Sequence, residues 1–288
     1  MPDETLPLRA SEFALWVLGY EEAGEAEVRR GAWNWVVCYA DLGLAVRVSP
    51  RHMSVDVEHG YRVGELVGPT VALGVRFTTS FAGCLVAVMD LAEPLGVTDE
   101  AWITAQTLGA RVHTVDPAAL GVHLGVFDPI HDLATHLGRM RDSVFAPWVE
   151  PLAERASAIQ IALGSRVERP VLLHGDLHAG QVVRTNHGAR LIDFDVAMHG
   201  DVEADWGRIV AWDRAGQLGS NCLERARVAS GEELDERRLA LYGEAYALRY
   251  VTALVHRVLD GANVHDTRLG AFARAYGLGD GVLSRSRD

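Results

Sequence analysis

The chain has 288 residues, 49% of them apolar or aromatic, and its 39 acidic side chains against 27 basic ones give a formal charge of −12. That length allows one large domain or two lobes around a sizeable core. The acidic balance argues against a nucleic-acid backbone as main partner, and no apolar run is long enough to span a bilayer. Met1-Pro2-Asp3-Glu4 lacks the basic-then-apolar order of a signal peptide. Cys38, Cys84 and Cys222 lie far apart with no Cys-x-x-Cys pair, so free thiols in a cytoplasmic protein are expected. There is no lysine; every basic side chain is Arg or His.

In chain order, Ser11–Gly19 has helix-spaced apolar residues with Ser11 as cap. Strands are expected over Ala26–Arg30, Trp35–Tyr39 and Leu44–Val48. Turns at Gly31-Ala32-Trp33-Asn34 and Asp41-Leu42-Gly43 separate them, and such small, polar turns let backbone amides approach phosphate. A helix over Val55–Val67 closes at Pro69. Two more strands follow, Ala72–Thr78 and the nearly all-apolar Cys84–Met89, which reads as a buried central strand. Asp90-Leu91-Ala92-Glu93-Pro94 breaks the pattern. Beyond it the chain turns helical, over Asp99–His113, Asp132–Met140, Pro147–Leu163, Ala204–Trp212 and Glu233–Leu259. The end, Gly277–Asp288, is expected to fray.

The most informative stretch lies between these helices. His174–Gln181 reads His-Gly-Asp-Leu-His-Ala-Gly-Gln, flanked by the apolar runs Val171–Leu173 and Val182–Val183, and Leu191-Ile192-Asp193-Phe194-Asp195 follows. A strand, a polar loop and a strand pair would bring Asp176, Gln181 and Asp193 to one place. Phosphoryl transfer to a hydroxyl needs a carboxylate near the attacking oxygen and oxygen ligands for a magnesium ion that bridges the phosphates. Asp176 suits the first role, Gln181 and Asp193 the second. Single Asp residues are common in turns; two clusters at this spacing, each next to a strand, are not.

A protein kinase has His-Arg-Asp-x-x-x-x-Asn followed by Asp-Phe-Gly. Here the form is His-Gly-Asp-x-x-x-x-Gln followed by Asp-Phe-Asp, which resembles the aminoglycoside-phosphotransferase-like kinases, with a loop similar to the maltokinase and glucosamine kinase branch. The resemblance implies an α+β, two-lobed protein-kinase-like fold. A small antiparallel-sheet N-lobe (1–89) would join a helical C-lobe (94–288) through a hinge (90–93). It implies ATP or GTP and Mg2+ as cofactors. Gly31 and Asn34 would form the nucleotide-positioning loop, and Arg47 would stand where kinases carry lysine. Glu58, with Glu65 and Asp56 as rivals, would be its ion-pair partner. The Asp90 carbonyl and Ala92 amide would take the adenine edge, with Met89 behind. Gly200-Asp201 and Asp205 resemble the family's Gly-Asp-Pro-x-x-Asp segment, with Val202 for the proline; Asp205 and His174 would support the loop.

The implied activity is transfer of a phosphoryl group to a small hydroxylated acceptor: an aminoglycoside or other cationic antibiotic, or an amino sugar. Asp201, Glu203, Asp213 and Glu244 are candidates to face a cationic acceptor. His178 would contact it or hold the loop, and Asp195 would aid the metal or be bonded elsewhere. Gln181, one methylene longer than the usual Asn, changes the reach of a metal ligand. Two other readings remain at this stage. One is a metal-dependent phosphoester hydrolase using His174, Asp176, His178, Asp193 and His199; the other is a catalytically silent, kinase-like binding protein.

Overall fold

The computed structural model describes residues 5–31, 34–121, 124–131, 133–164, 167, 170–261 and 267–278. The first helix, α1 (Leu6–Val17), begins before the expected start, because Pro7 sits in its first turn, where a missing N–H costs nothing. Ser11 is therefore not the cap. It is buried within the helix, its hydroxyl donating to Leu8 O at 2.8 Å and lying 2.6 Å from the Tyr39 hydroxyl.

Five strands form one antiparallel sheet in the order β1-β2-β3-β5-β4. They are β1 (Glu27–Arg30), β2 (Trp35–Tyr39), β3 (Leu44–Pro50), β4 (Val75–Phe81) and β5 (Cys84–Asp90). The paired strands β3 and β5 carry the apolar centre, with Val46 opposite Val88 and Val48 opposite Val86. Ala10, Ala14 and Leu15 of α1 pack onto these residues. Between β3 and β4 the chain makes α2 (Ser54–Val67), which ends on Gly68 at φ +90°, a conformation that costs glycine little. Ala72 does not open β4 as expected. It bridges in parallel to Leu191, and Leu73 N and Leu191 N donate to Leu191 O and Val71 O at 2.9 and 2.7 Å. This segment is thus sewn to the strand that ends at Leu191 rather than to the sheet.

After β5 the two-residue β6 (Glu93–Pro94) pairs with β8 (Val182–Thr185), which also pairs with β9 (Gly188–Leu191). The short β7 (Val171–Leu173) pairs with β10 (Met198–Gly200). Helices make up the remainder: α3 (Asp99–Val112), α4 (Leu133–Met140), α5 (Ala146–Leu163), α6 (Glu203–Arg214), α7 (Cys222–Ser230), α8 (Glu236–Leu259) and α9 (Thr267–Ala275). Two of them start on side-chain caps, each worth about 1 kcal/mol: Thr98 accepts from Ala101 N at 3.2 Å and Asp235 from Arg238 N at 2.9 Å. The Asp235 cap sets the start of α8 at Glu236, later than the expected Glu233. Asp132, the expected start of α4, lies outside the described residues, as do Ala32, Trp33 and most of the expected frayed end.

The sequence patterns give no sign of α7 or α9; α7 buries only Cys222 and Ala226, too little for a readable stripe. The largest core surrounds α8, where Tyr242, Tyr246 and Val251 share a cluster with Trp148 and Leu152 of α5 and Phe272 of α9. No described helix is long and apolar enough to cross a membrane. The chain is therefore an α+β structure, a small antiparallel sheet beside a larger helical part, and the segment His174–Asp195 lies where the two meet.

Candidate active site

Strand β7 delivers the loop that follows it into a preformed cradle. Asp205, on the first turn of α6 and fully buried, accepts from His174 N at 2.7 Å and Gly175 N at 3.0 Å. Gly175 sits at φ +80°, with Val196 O where a Cβ would be, so no other residue fits there without moving the chain. His174 is fully buried. Its Nε2 donates to Ile192 O at 2.9 Å, its ring packs 4.5 Å from Phe194, and burial pulls its pKa down, so it is neutral.

Behind this cradle is a group that the sequence does not advertise. His113, at the end of α3, bridges Asp205 (3.1 Å) and Glu232 (2.6 Å), and Glu232 also accepts from Trp206 Nε1 at 2.8 Å. Burial alone would drive the His113 pKa down, but the two carboxylates outweigh it and push it up to about 9. The loop is thus pinned through a buried carboxylate–imidazolium–carboxylate line.

Asp176 emerges from the cradle half-exposed. Gln181 Nε2 donates to Asp176 Oδ2 at 3.0 Å and reaches Asp193 Oδ2 at 3.5 Å, so these three side chains meet. Asp193 is at φ +67°, ψ +56°; this left-handed conformation costs a non-glycine residue about 1–2 kcal/mol. Ile192 N, donating to Gln181 O at 3.0 Å, holds the turn beside the loop. His178 turns inward: its Nδ1 accepts from Gly180 N at 2.9 Å, leaving its Nε2 to carry the proton 3.5 Å from Asp176 Oδ2.

Arg208 of α6 was not among the expected residues. It forms an ion pair with Asp176 and lies between two rings, 5.6 Å from Tyr246 and 5.5 Å from Tyr250. Burial would raise the Asp176 pKa, but Arg208 first, and then His178, hold it well below the usual carboxylate range. The only hint in the sequence is position: Arg208 is one helical turn after Asp205.

On the sheet side, a cavity of about 350 Å³ is lined by Gly31, Asn34, Arg47, Met89, Asp90 and Ala92, with Asp193 at its inner end. Arg47 Nη1 and Nη2 donate to Asp195 Oδ1 and Oδ2 at 3.2 and 2.5 Å, and Nη2 is 3.4 Å from Asp193 Oδ1. With its amide oxygen turned to the guanidinium, Asn34 accepts from Arg47 Nε and Nη2 at 3.0 Å.

Glu58 is not the partner of Arg47. Val57, Gly60, Val63 and Gly64 face inward from α2, which leaves Glu58 in solvent, and Asp56 and Glu65 are also exposed. Tyr61 occupies that place beside Arg47, and burial pushes its hydroxyl well up.

A second cavity, of about 480 Å³, shares Asn34, Arg47, Asp193 and Asp195 with the first and is lined by Asp176 as well. The expected acceptor carboxylates are absent from its lining. Asp201 is buried against Arg238 and accepts from the Tyr242 hydroxyl at 2.8 Å; Glu203, also buried, accepts from Asp235 N at 2.8 Å. Both are spent on holding α6 to α8. Asp213 and Glu244 lie on outer parts of those helices. The residues that do line the cavity include Asp128, His131, Phe127, Met198 and Arg249. The hydrolase reading loses its metal cluster, because His174 is buried and engaged; no group of three or more His, Cys, Asp or Glu able to hold a metal occurs among the described residues.

The model of the phosphotransferase enzyme family matches residues 70–253, well over half of the chain. The chain belongs to that family. It is accordingly a small-molecule phosphotransferase with the kinase-like fold of its solved neighbours. A choline/ethanolamine kinase family protein from Mesorhizobium loti is 17% identical, with a TM-score of 0.70 over 95% of this chain and 94% of that one. Spectinomycin phosphotransferase APH(9)-Ia, solved with ADP and spectinomycin, is 12% identical, with a TM-score of 0.65 over 95% and 96%. Choline kinase LicA from Streptococcus pneumoniae is 12% identical, with a TM-score of 0.63 over 96% and 99%. No curated protein matches the sequence.

Proposed function

We propose that the chain transfers the γ-phosphoryl group of ATP or GTP to a hydroxyl of a small molecule, with magnesium. The observation that carries this reading is the meeting of Asp176 and Gln181 with Asp193, the one of the three that lines both cavities. The sheet-side cavity has the size and lining for a nucleotide: a strand end at Met89–Ala92 for the base and Arg47 with Asn34 for the phosphates. ADP in the spectinomycin enzyme supports the same use of that cleft here.

Asp176 would accept a hydrogen bond from the acceptor hydroxyl and aim its oxygen at the γ-phosphorus. As the new P–O bond forms, the bond to the β–γ bridging oxygen breaks, its electron pair leaves with the nucleoside diphosphate, and the hydroxyl proton passes to Asp176. With Arg208 beside it Asp176 is a weak base, which suits a transition state in which orientation and charge neutralisation matter more than early proton removal. The donor set fits magnesium once one amide turns over: Asp193 offers a carboxylate that is 43% exposed, and Gln181, whose Nε2 here faces Asp193, would present its amide oxygen on rotating. Held there, the ion would neutralise charge on the β- and γ-phosphates.

Of the acceptors the sequence allows, an amino sugar fits the second cavity better than a polycationic antibiotic. Asp176, Asp193 and Asp195 are already paired with Arg208 or Arg47, which leaves Asp128 as the lining carboxylate with no ion pair among the described residues, and Arg249 adds a positive charge to the same lining. A coupled ADP-release screen over amino sugars, maltose, aminoglycosides and basic peptide antibiotics tests this. Turnover with an amino sugar above the ATPase background supports the reading; turnover confined to polycations refutes the acceptor assignment.

A further inference from the structure

In a kinase-like site the cation that meets the nucleotide phosphates must itself be held, since a long side chain left free spends most of its time elsewhere. The helix α2 is the expected source of that support, yet its acidic side chains Asp56, Glu58 and Glu65 are all exposed. Arg47 nevertheless has an anchor. Asp195 meets it with two parallel hydrogen bonds, at 3.2 and 2.5 Å, and the side chains are only 12% and 11% exposed. This is the fork geometry in which a guanidinium and a carboxylate fix each other's orientation.

The backbone is shaped around the pair. A Cβ on Gly60 would lie 2.8 Å from Asp195 N and 2.9 Å from Phe194 C. Any other residue there would push the Phe194–Asp195 segment away from α2. Tyr61, the next residue, stands beside Arg47 with its hydroxyl buried. The helix thus supplies room and an aromatic wall, and the loop after Asp193 supplies the charge.

We propose that Asp195 is the positioning residue for Arg47, doing from the metal-binding loop what a carboxylate of α2 was expected to do. The inference rests on the proposed nucleotide site. Asp193 and Asp195 flank one turn, so the phosphate-binding cation and the metal ligand move as a unit.

The test is equilibrium binding of ATP with magnesium, and of adenosine, to the wild type, Asp195→Asn, Asp195→Ala and the double variant Asp195→Ala/Tyr61→Glu. Without its anchor Arg47 meets the phosphates in fewer of its rotamers. ATP affinity is then expected to fall about tenfold or more in both single variants, as for loss of a buried charge partner, with adenosine affinity unchanged. In the double variant a carboxylate returns to the flank of Arg47 from the helix side, and ATP affinity is expected to recover. That recovery reports charge, which a merely structural role for Asp195 would not restore. The inference is overturned if ATP binds Asp195→Asn as tightly as wild type, or more tightly, the latter marking Asp195 as a competitor of the phosphates. Equal weakening of ATP and adenosine also overturns it. A wild type that binds no nucleotide removes the proposed site and this inference together.

Discussion

Replacing His113 by Gln tests whether the loop that begins at His174 is pinned by a buried imidazolium. In the folded chain Asp205 and Glu232 raise the His113 pKa from 6.5 to about 9. At about 1.4 kcal/mol per tenfold change in proton affinity, the gain is about 3 kcal/mol. The folded form holds the proton more tightly than the unfolded one. The stabilisation is therefore complete below pH 6.5 and is lost as the pH rises to about 9. Urea unfolding of wild type and His113→Gln at pH 6, 7, 8 and 9 measures it. The stability difference should be largest at pH 6 and shrink by about 3 kcal/mol by pH 9. The raised thiol pKa values of Cys38, Cys84 and Cys222 weaken both proteins near pH 9 and cancel in the difference. A difference that stays constant across the window would refute a charged His113. Asp205 carries the His174 and Gly175 amides, so turnover of the wild type should fall over the same upper range.

Two other perturbations separate the parts of the site. Asp193→Ala removes the carboxylate at the junction and should abolish the magnesium-dependent part of ATP affinity, read as the difference between titrations with magnesium and with EDTA. Arg208→Met leaves Asp176 without its guanidinium and should lower turnover by about tenfold or more, with Arg208→Lys recovering part of it, because Asp176 loses the group that fixes its direction.

Much of this is legible in the sequence. Strands β2, β3 and β5 and helices α2, α3 and α5 lie within a residue or two of their expected bounds, since each carries a continuous apolar run or a helical stripe. The convergence of Asp176, Gln181 and Asp193 is legible because their residue types at this spacing have few other uses. What stayed hidden depends on which way a face points. Glu58 and Tyr61 are one turn apart on α2, and nothing in the local pattern says that the tyrosine turns to Arg47. Asp201 and Glu203 looked available as isolated carboxylates. Their partners Arg238, Tyr242 and Asp235 come from the distant α8 and its cap, so only the packed structure shows them spent. Glu232 has no signature, and Arg208 only its place one turn after Asp205, because each matters through a contact with a distant element.

The role proposed for Asp176 is to direct the acceptor hydroxyl at a nucleotide bound independently of it. The measurement that tests this most directly is steady-state turnover and ATP affinity in Asp176→Asn, which keeps the size of the side chain and removes its charge. Turnover should drop by about a hundredfold or more while ATP binds as in the wild type. Turnover close to that of the wild type would contradict the claim.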